Sequence, residues 1–151
     1  MKNNVLIILL FALTLSCNSD DDTSEMTNVE FTLIARENLF GNGNEEIIQQ
    51  NMVITNQNDW NSLIAQMNSE NNVSDNFTEI DIDFSEFQII AVFDEIKGNG
   101  GHILEFSIMS NSENIIVNVI DLVPDGDVTG VITQPFCIVK ILKSDLPIIF
   151  E

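Results

Sequence analysis

The chain has 151 residues with 24 acidic and five basic side chains, a net charge of −19. That balance excludes nucleic-acid binding, which rewards clustered Lys and Arg, and charge-driven docking on an anionic lipid surface. An apolar content of 44% excludes a disordered chain, and the length suits one domain with a sizeable core.

The first residues follow a secretory pattern. Lys2 supplies positive charge, residues 5–15 are an apolar run interrupted only by Thr14, and small Ser16 precedes Cys17. The run is shorter than the roughly 20 residues of a membrane span. Cysteine at the cleavage point resembles the lipobox of bacterial lipoproteins, with Thr14 where Leu is usual. Residues 1–16 are therefore expected to be a signal peptide, with acyl chains anchoring the chain through Cys17. Asn18-Ser19-Asp20-Asp21-Asp22 resembles an acidic export signal to the outer membrane surface of some Gram-negative bacteria, and reads equally as a solvated tether. Residues 17–27 form that tether and 28–151 one domain. The expected location is extracytoplasmic, on the outer membrane. Cleavage removes Lys2 and no acid, taking the charge from −19 to −20. With Cys17 acylated, Cys137 has no disulfide partner, and its apolar neighbours predict a buried free thiol.

Along the domain, residues 28–37 read as a strand with Val29, Phe31 and Leu33 on one apolar face. Phe40-Gly41-Asn42-Gly43-Asn44 reads as a turn, since Gly and Asn tolerate positive φ. A second strand over 47–55 would complete a hairpin. The period then changes: Trp60, Leu63, Ile64 and Met67 share one face of a helix, expected over residues 59–68 and capped by Asn58 or Asp59. Residues 70–78 are polar and read as a loop, whose two N-glycosylation triplets are chance matches in a bacterial lipoprotein. Strands are expected over 88–93, 102–109, 114–123, 128–133 and 136–142, the last two separated at Pro135, with 148–150 closing the sheet. Turns fall at 97–101, 110–113 and 124–127. This pattern predicts an α+β fold, a mostly antiparallel β sheet or sandwich with one amphipathic helix.

Few constellations suggest chemistry. His102 is the only histidine. A triad would need Cys137 as nucleophile with Asp94 or Asp121 behind His102, but an apolar strand leaves a thiol inert, so no catalytic residue is expected. Asp81 and Asp83 would share a face if extended, with Glu86 following; Asp125-Gly126-Asp127 is a second acidic cluster. Neither has EF-hand spacing, and one His with one buried Cys makes no zinc site, so no metal and no cofactor are expected. Lys97-Gly98-Asn99-Gly100-Gly101-His102 is the most unusual local feature. A strand rather than a helix follows it, which excludes a phosphate-binding loop. Gly98, Asn99, Gly100, Gly101 and His102 are the candidate binding loop, with a plain hairpin turn as the alternative.

Several of these segments together carry a resemblance. Asp59-Trp60-Asn61-Ser62-Leu63, Asp83-Phe84-Ser85-Glu86, the strand Ile89-Ile90-Ala91-Val92-Phe93, the glycine loop, and Val131-Ile132-Thr133-Gln134-Pro135-Phe136-Cys137-Ile138-Val139 occur in that order. In order and spacing they resemble the C-terminal domain of the protease complex subunit PrcB family, over most of residues 56–150. Asn99 and His102 stand where the family loop has Thr and Tyr, while Gly100 and Gly101 are kept. The resemblance implies a lipoprotein of the bacterial envelope and a non-catalytic accessory subunit whose protein partner is a protease. The alternatives are a protease inhibitor, presenting the glycine loop and the turn at 125–130, and a structural envelope lipoprotein. Membrane contact is expected through the lipid alone, with no nucleic-acid partner.

Overall fold

A computed structural model of the chain describes residues 25–126 and 129–151. The expected signal peptide, Cys17 and the acidic run lie outside the described residues, as do Asp127 and Val128.

Over the described residues the fold is an α+β sandwich of two sheets and one α-helix. The first sheet has the order β1-β5-β6-β8, from β1 (Thr27–Asn28), β5 (Ile103–Ser110), β6 (Ile115–Leu122) and β8 (Ile148–Phe150). The second has the order β2-β7-β4-β3, from β2 (Phe31–Leu39), β7 (Gln134–Leu142), β4 (Phe87–Phe93) and β3 (Gln50–Ile54). All pairings are antiparallel except β6 with β8.

The central strands β4 and β7 are almost wholly apolar because both of their faces are covered. Successive side chains leave a strand on opposite faces. Ile89, Ala91, Phe93, Phe136 and Ile138 enter a core with the helix residues Trp60, Leu63 and Met67. Ile90, Val92, Cys137, Val139 and Ile141 enter a second core with Leu104, Ile108, Ile115 and Val117 of the first sheet. The register of Ala91 opposite Ile138 and Val92 opposite Cys137 keeps the two sets apart. Phe93 and Phe136 stack with ring centroids 5.8 Å apart. The layers are therefore helix, second sheet, first sheet.

Helix α1 (Gln57–Met67) covers the outer core, with Trp60, Leu63 and Met67 buried and Ile64 packed at the margin. The Trp60 indole donates to the Ile80 carbonyl at 2.8 Å, so its one polar atom is satisfied. The cap is Asn56, not Asn58 or Asp59: its side chain accepts from the Asp59 amide at 3.0 Å and donates to the Asp59 carboxylate at 2.7 Å. The helix starts earlier than its apolar stripe because polar Gln57 and Asn58 extend it on the solvent side. A 3₁₀ turn (Val73–Asn76) sits in the polar segment after it.

Four expectations about the strands are corrected as well. β2 and β3 do not form a hairpin; they are opposite edges of one sheet with β7 and β4 between them. In β2 the buried side chains are Ile34, Ala35 and Leu39, while Phe31 and Leu33 are 42% and 36% exposed. Phe31 and Leu33 lie opposite Ile141 and Val139, on the side of the first sheet, and a bulge between Leu33 and Ala35 brings Ala35 to the helix side beside Ile34. No strand occupies the described part of 128–133, where Thr133 makes only an isolated bridge to Lys97. Finally, Pro135 lies inside β7 opposite Asn38, since at a strand's start a missing N–H costs little.

The bulge generates a test. Ile34→Ala should destabilise the protein by about 2–5 kcal/mol, whereas Leu33→Ala should cost less than about 1 kcal/mol. Urea unfolding of both variants checks it; the reverse order would place the apolar face where simple alternation puts it.

Candidate functional site

The glycine segment is not a hairpin turn. β4 and β5 belong to different sheets, so residues 94–102 cross from one to the other. Residues 123–133 cross back, from β6 to β7. The two crossovers pack against each other. Lys97 and Thr133 exchange backbone hydrogen bonds at 2.7 and 3.1 Å. The Gly100 amide donates to the Thr129 carbonyl at 3.1 Å, and the Thr133 hydroxyl donates to the Asn99 carbonyl at 3.1 Å. The glycines have distinct reasons. Gly101 has φ +91°, and a Cβ there would lie 2.9 Å from Pro124. Gly100 is buried, and a Cβ would lie 3.0 Å from Thr129 and Val131. Gly98 is exposed and faces open space.

The side chains at this junction form one charged group. His102, 7% exposed, places Nδ1 3.2 Å from Asp121 Oδ1. Lys97 Nζ lies 2.9 Å from Asp94, 3.2 Å from Glu95 and 3.7 Å from Asp121. Burial opposes the charge on Lys97, but its hydrogen bonds to Asp94 and Glu95 prevail, and its pKa stands above the ordinary lysine value. Asp94 also accepts from Gln49 Nε2 at 3.1 Å, which ties the junction to the segment leading into β3. Gln134 strengthens that tie by donating to the carbonyls of Ile47 and Asp94, both at 2.9 Å.

Beside the junction, the two sheets part. A cleft of about 440 Å³ opens between the β3 margin and β8. Val92, Leu104, Val119 and Phe150 give it apolar walls, while Asp94, Asp121 and Glu151 supply carboxylates beside Gln49, Gln50 and Asn51. Such a site suits an apolar body bearing a cation, held by amides and carboxylates at the rim.

The structure thus brings Asp94, Lys97, His102 and Asp121 together. Gly98, Asn99, Gly100, Gly101 and His102 act first as the joint between sheets, and only Gly98 and Gly101 are exposed. Asp121 stands behind His102 as a triad would need, but Cys137 lies in the core between the sheets, opposite Val92. Burial, the largest influence, pushes its thiol up to about 12, with Arg36 opposing and Glu105 reinforcing. The thiol therefore keeps its proton and is no nucleophile. Asp81 and Asp83 are not on a strand. Asp83 closes a turn, accepting from the hydroxyl and amide of Ser85, and these bonds lower its pKa, the hydroxyl's most. Among the described residues no three His, Cys, Asp or Glu side chains converge as a metal site would need. The other acidic cluster extends to Asp127, outside the described residues. The cleft itself was not legible in the sequence, because its walls come from β4, β5, β6 and β8 and no local pattern links them.

Two measurements test the junction and the thiol. Gly101→Ala should destabilise the protein by more than about 1 kcal/mol, through positive φ and the Pro124 contact, while Gly98→Ala should be neutral or stabilising within about 1 kcal/mol. Equal effects in thermal unfolding would contradict this account. For Cys137 the folded pKa exceeds the ordinary thiol value of 9.0, so its contribution is complete below that value and declines above it, up to about 12. Between about pH 8 and about pH 10.5 the loss should be about 2 kcal/mol and should vanish from the pH dependence of Cys137→Val. An unchanged dependence would show that the thiol ionises normally in the folded state.

Comparison with known proteins finds no matching family model, no matching curated protein and no matching solved structure.

Proposed function

We propose that this chain is a lipid-anchored envelope protein acting as a non-catalytic protein-binding module, an accessory subunit of a surface protease. The observation that carries the binding role is the open cleft between the sheets, with its apolar walls and carboxylate rim. The anchor is supported by the signal-like start ending at Cys17, and the protease by the resemblance of residues 56–150 to the PrcB family. The inert Cys137 thiol supports a role in binding rather than thiol chemistry. The charge of −20 after cleavage favours a basic surface on the partner.

The inhibitor reading draws less support. Asn99, Gly100 and Thr129 use backbone groups to join the two crossovers, which leaves fewer of them to present to a protease.

The test is affinity capture from envelope fractions with residues 23–151, which include both sheets and the helix, against an unrelated acidic domain. Enrichment of one extracytoplasmic protease is expected, and it should weaken as salt screens the carboxylate rim. Assaying that protease with and without the domain then distinguishes an accessory subunit, which preserves or raises activity, from an inhibitor, which abolishes it. Enrichment of nothing would overturn the binding role and leave a structural lipoprotein.

A further inference from the structure

Each sheet has two edge strands, and an unprotected edge is a template for another strand. Three of the four edges are blunted. β1 has two residues and β8 has three. β2 carries a bulge, and Thr78 covers it by donating through its amide to the Ile34 carbonyl at 3.0 Å and through its hydroxyl to the Leu33 carbonyl at 2.8 Å.

Among the described residues β3 has none of these devices, and no strand pairs with its outer side. Its five residues, Gln50, Asn51, Met52, Val53 and Ile54, contain no charge and no proline, and their register with β4 is unbroken. The register also assigns its faces. Met52 and Ile54 lie opposite Ala91 and Ile89 on the helix side; Asn51 and Val53 lie opposite Val92 and Ile90 on the side of the first sheet. The first sheet leaves Val53 40% exposed. A groove therefore runs along each side of the free edge. One, of about 220 Å³, lies between β3 and α1, with Met52, Ile54 and Leu63 on its walls. The other is the acidic cleft between the sheets.

We infer that the free edge of β3 accepts an extended segment of a partner protein as a fifth strand, with apolar side chains entering the helix groove and alternate basic side chains entering the acidic cleft. Strand addition gives affinity through main-chain hydrogen bonds and specificity through alternate side-chain pockets. Charge selects the occupant. Asp94, Asp121 and Glu151 in the cleft outnumber Lys97, and a second copy of this chain would bring the same carboxylates to them. This inference rests on the protein-binding role proposed above and supplies its mode and the chemistry of its partner.

The test uses the full chain and a fluorescently labelled, capped peptide of alternating isoleucine and arginine, slightly longer than β3. Saturable binding is expected, at least about tenfold tighter than for the same peptide with glutamate in place of arginine. Methylating the peptide's backbone nitrogens at alternate residues gives two complementary peptides. The set whose N–H groups face β3 should lose binding and the other set should keep it, because an added strand donates from alternate residues only. Val53→Lys, which places a charge beside the edge, should weaken binding by about tenfold. If that variant fails to fold, the methylated peptides decide the matter on the natural chain. Absence of binding, equal effects of the two methylation sets, or a folded Val53→Lys variant that binds unchanged would each overturn the inference. So would self-association of the chain that Val53→Lys abolishes, since the occupant would then be a second copy. A partner captured from the envelope whose binding ignores Val53→Lys would sink the strand mode and leave the binding role standing.

Discussion

Everything in this fold depends on one sheet being buried on both faces. β4 and β7 send one set of apolar side chains to the helix and the alternate set to the other sheet. A one-residue slip in their pairing would exchange the sets and place Lys140, now opposite Ile89, in the core between the sheets. Lys140 instead pairs with Glu79, with its Nζ 4.5 Å from the centroid of the Phe87 ring. The register is therefore held by packing on both sides and by a charge that cannot be moved inward.

The central pairing also creates the crossovers. β4 continues into β5 and β6 into β7, so the chain must pass twice between sheets. The two passages meet, and the glycines, His102 and Lys97 serve that meeting. Asp121 at the end of β6 and Asp94 after β4 converge on Lys97. Elsewhere an ion pair between Arg36 of β2 and Glu105 of β5 links the sheets at 2.8 Å, but it is well exposed and adds little. The cleft lies where the sheets diverge past this junction, and its acidic rim follows from the same carboxylates that hold the crossover.

The candidate site was legible only in fragments. Lys97, the glycines and His102 stood out because three glycines in four residues before the only histidine is unusual. Their role did not, since a glycine-rich segment between two strands reads the same in a hairpin turn and in a crossover between sheets. The buried thiol of Cys137 was legible, because its neighbours on both sides are apolar. The free edge of β3 was not, since an edge is defined by the strand that is absent beside it. The bulge at Ile34 was hidden for a related reason: its effect is to break the alternation by which a strand's inner face is recognised.

The sequence by itself determined the acidic charge, the apolar run that leads to Cys17, the apolar strands, and the helix with its Trp60, Leu63 and Met67 face. These follow from composition and from periods of two and 3.6, which are local properties of the chain. Only the tertiary structure decided which strands are neighbours, that β2 and β3 stand at opposite edges, and that Asp94, Lys97, His102 and Asp121 meet. The physical reason is that backbone donors and acceptors are alike along the chain and do not select a partner. The choice is made by which pairing buries both apolar faces of β4 and β7 at once, and that condition involves the whole domain.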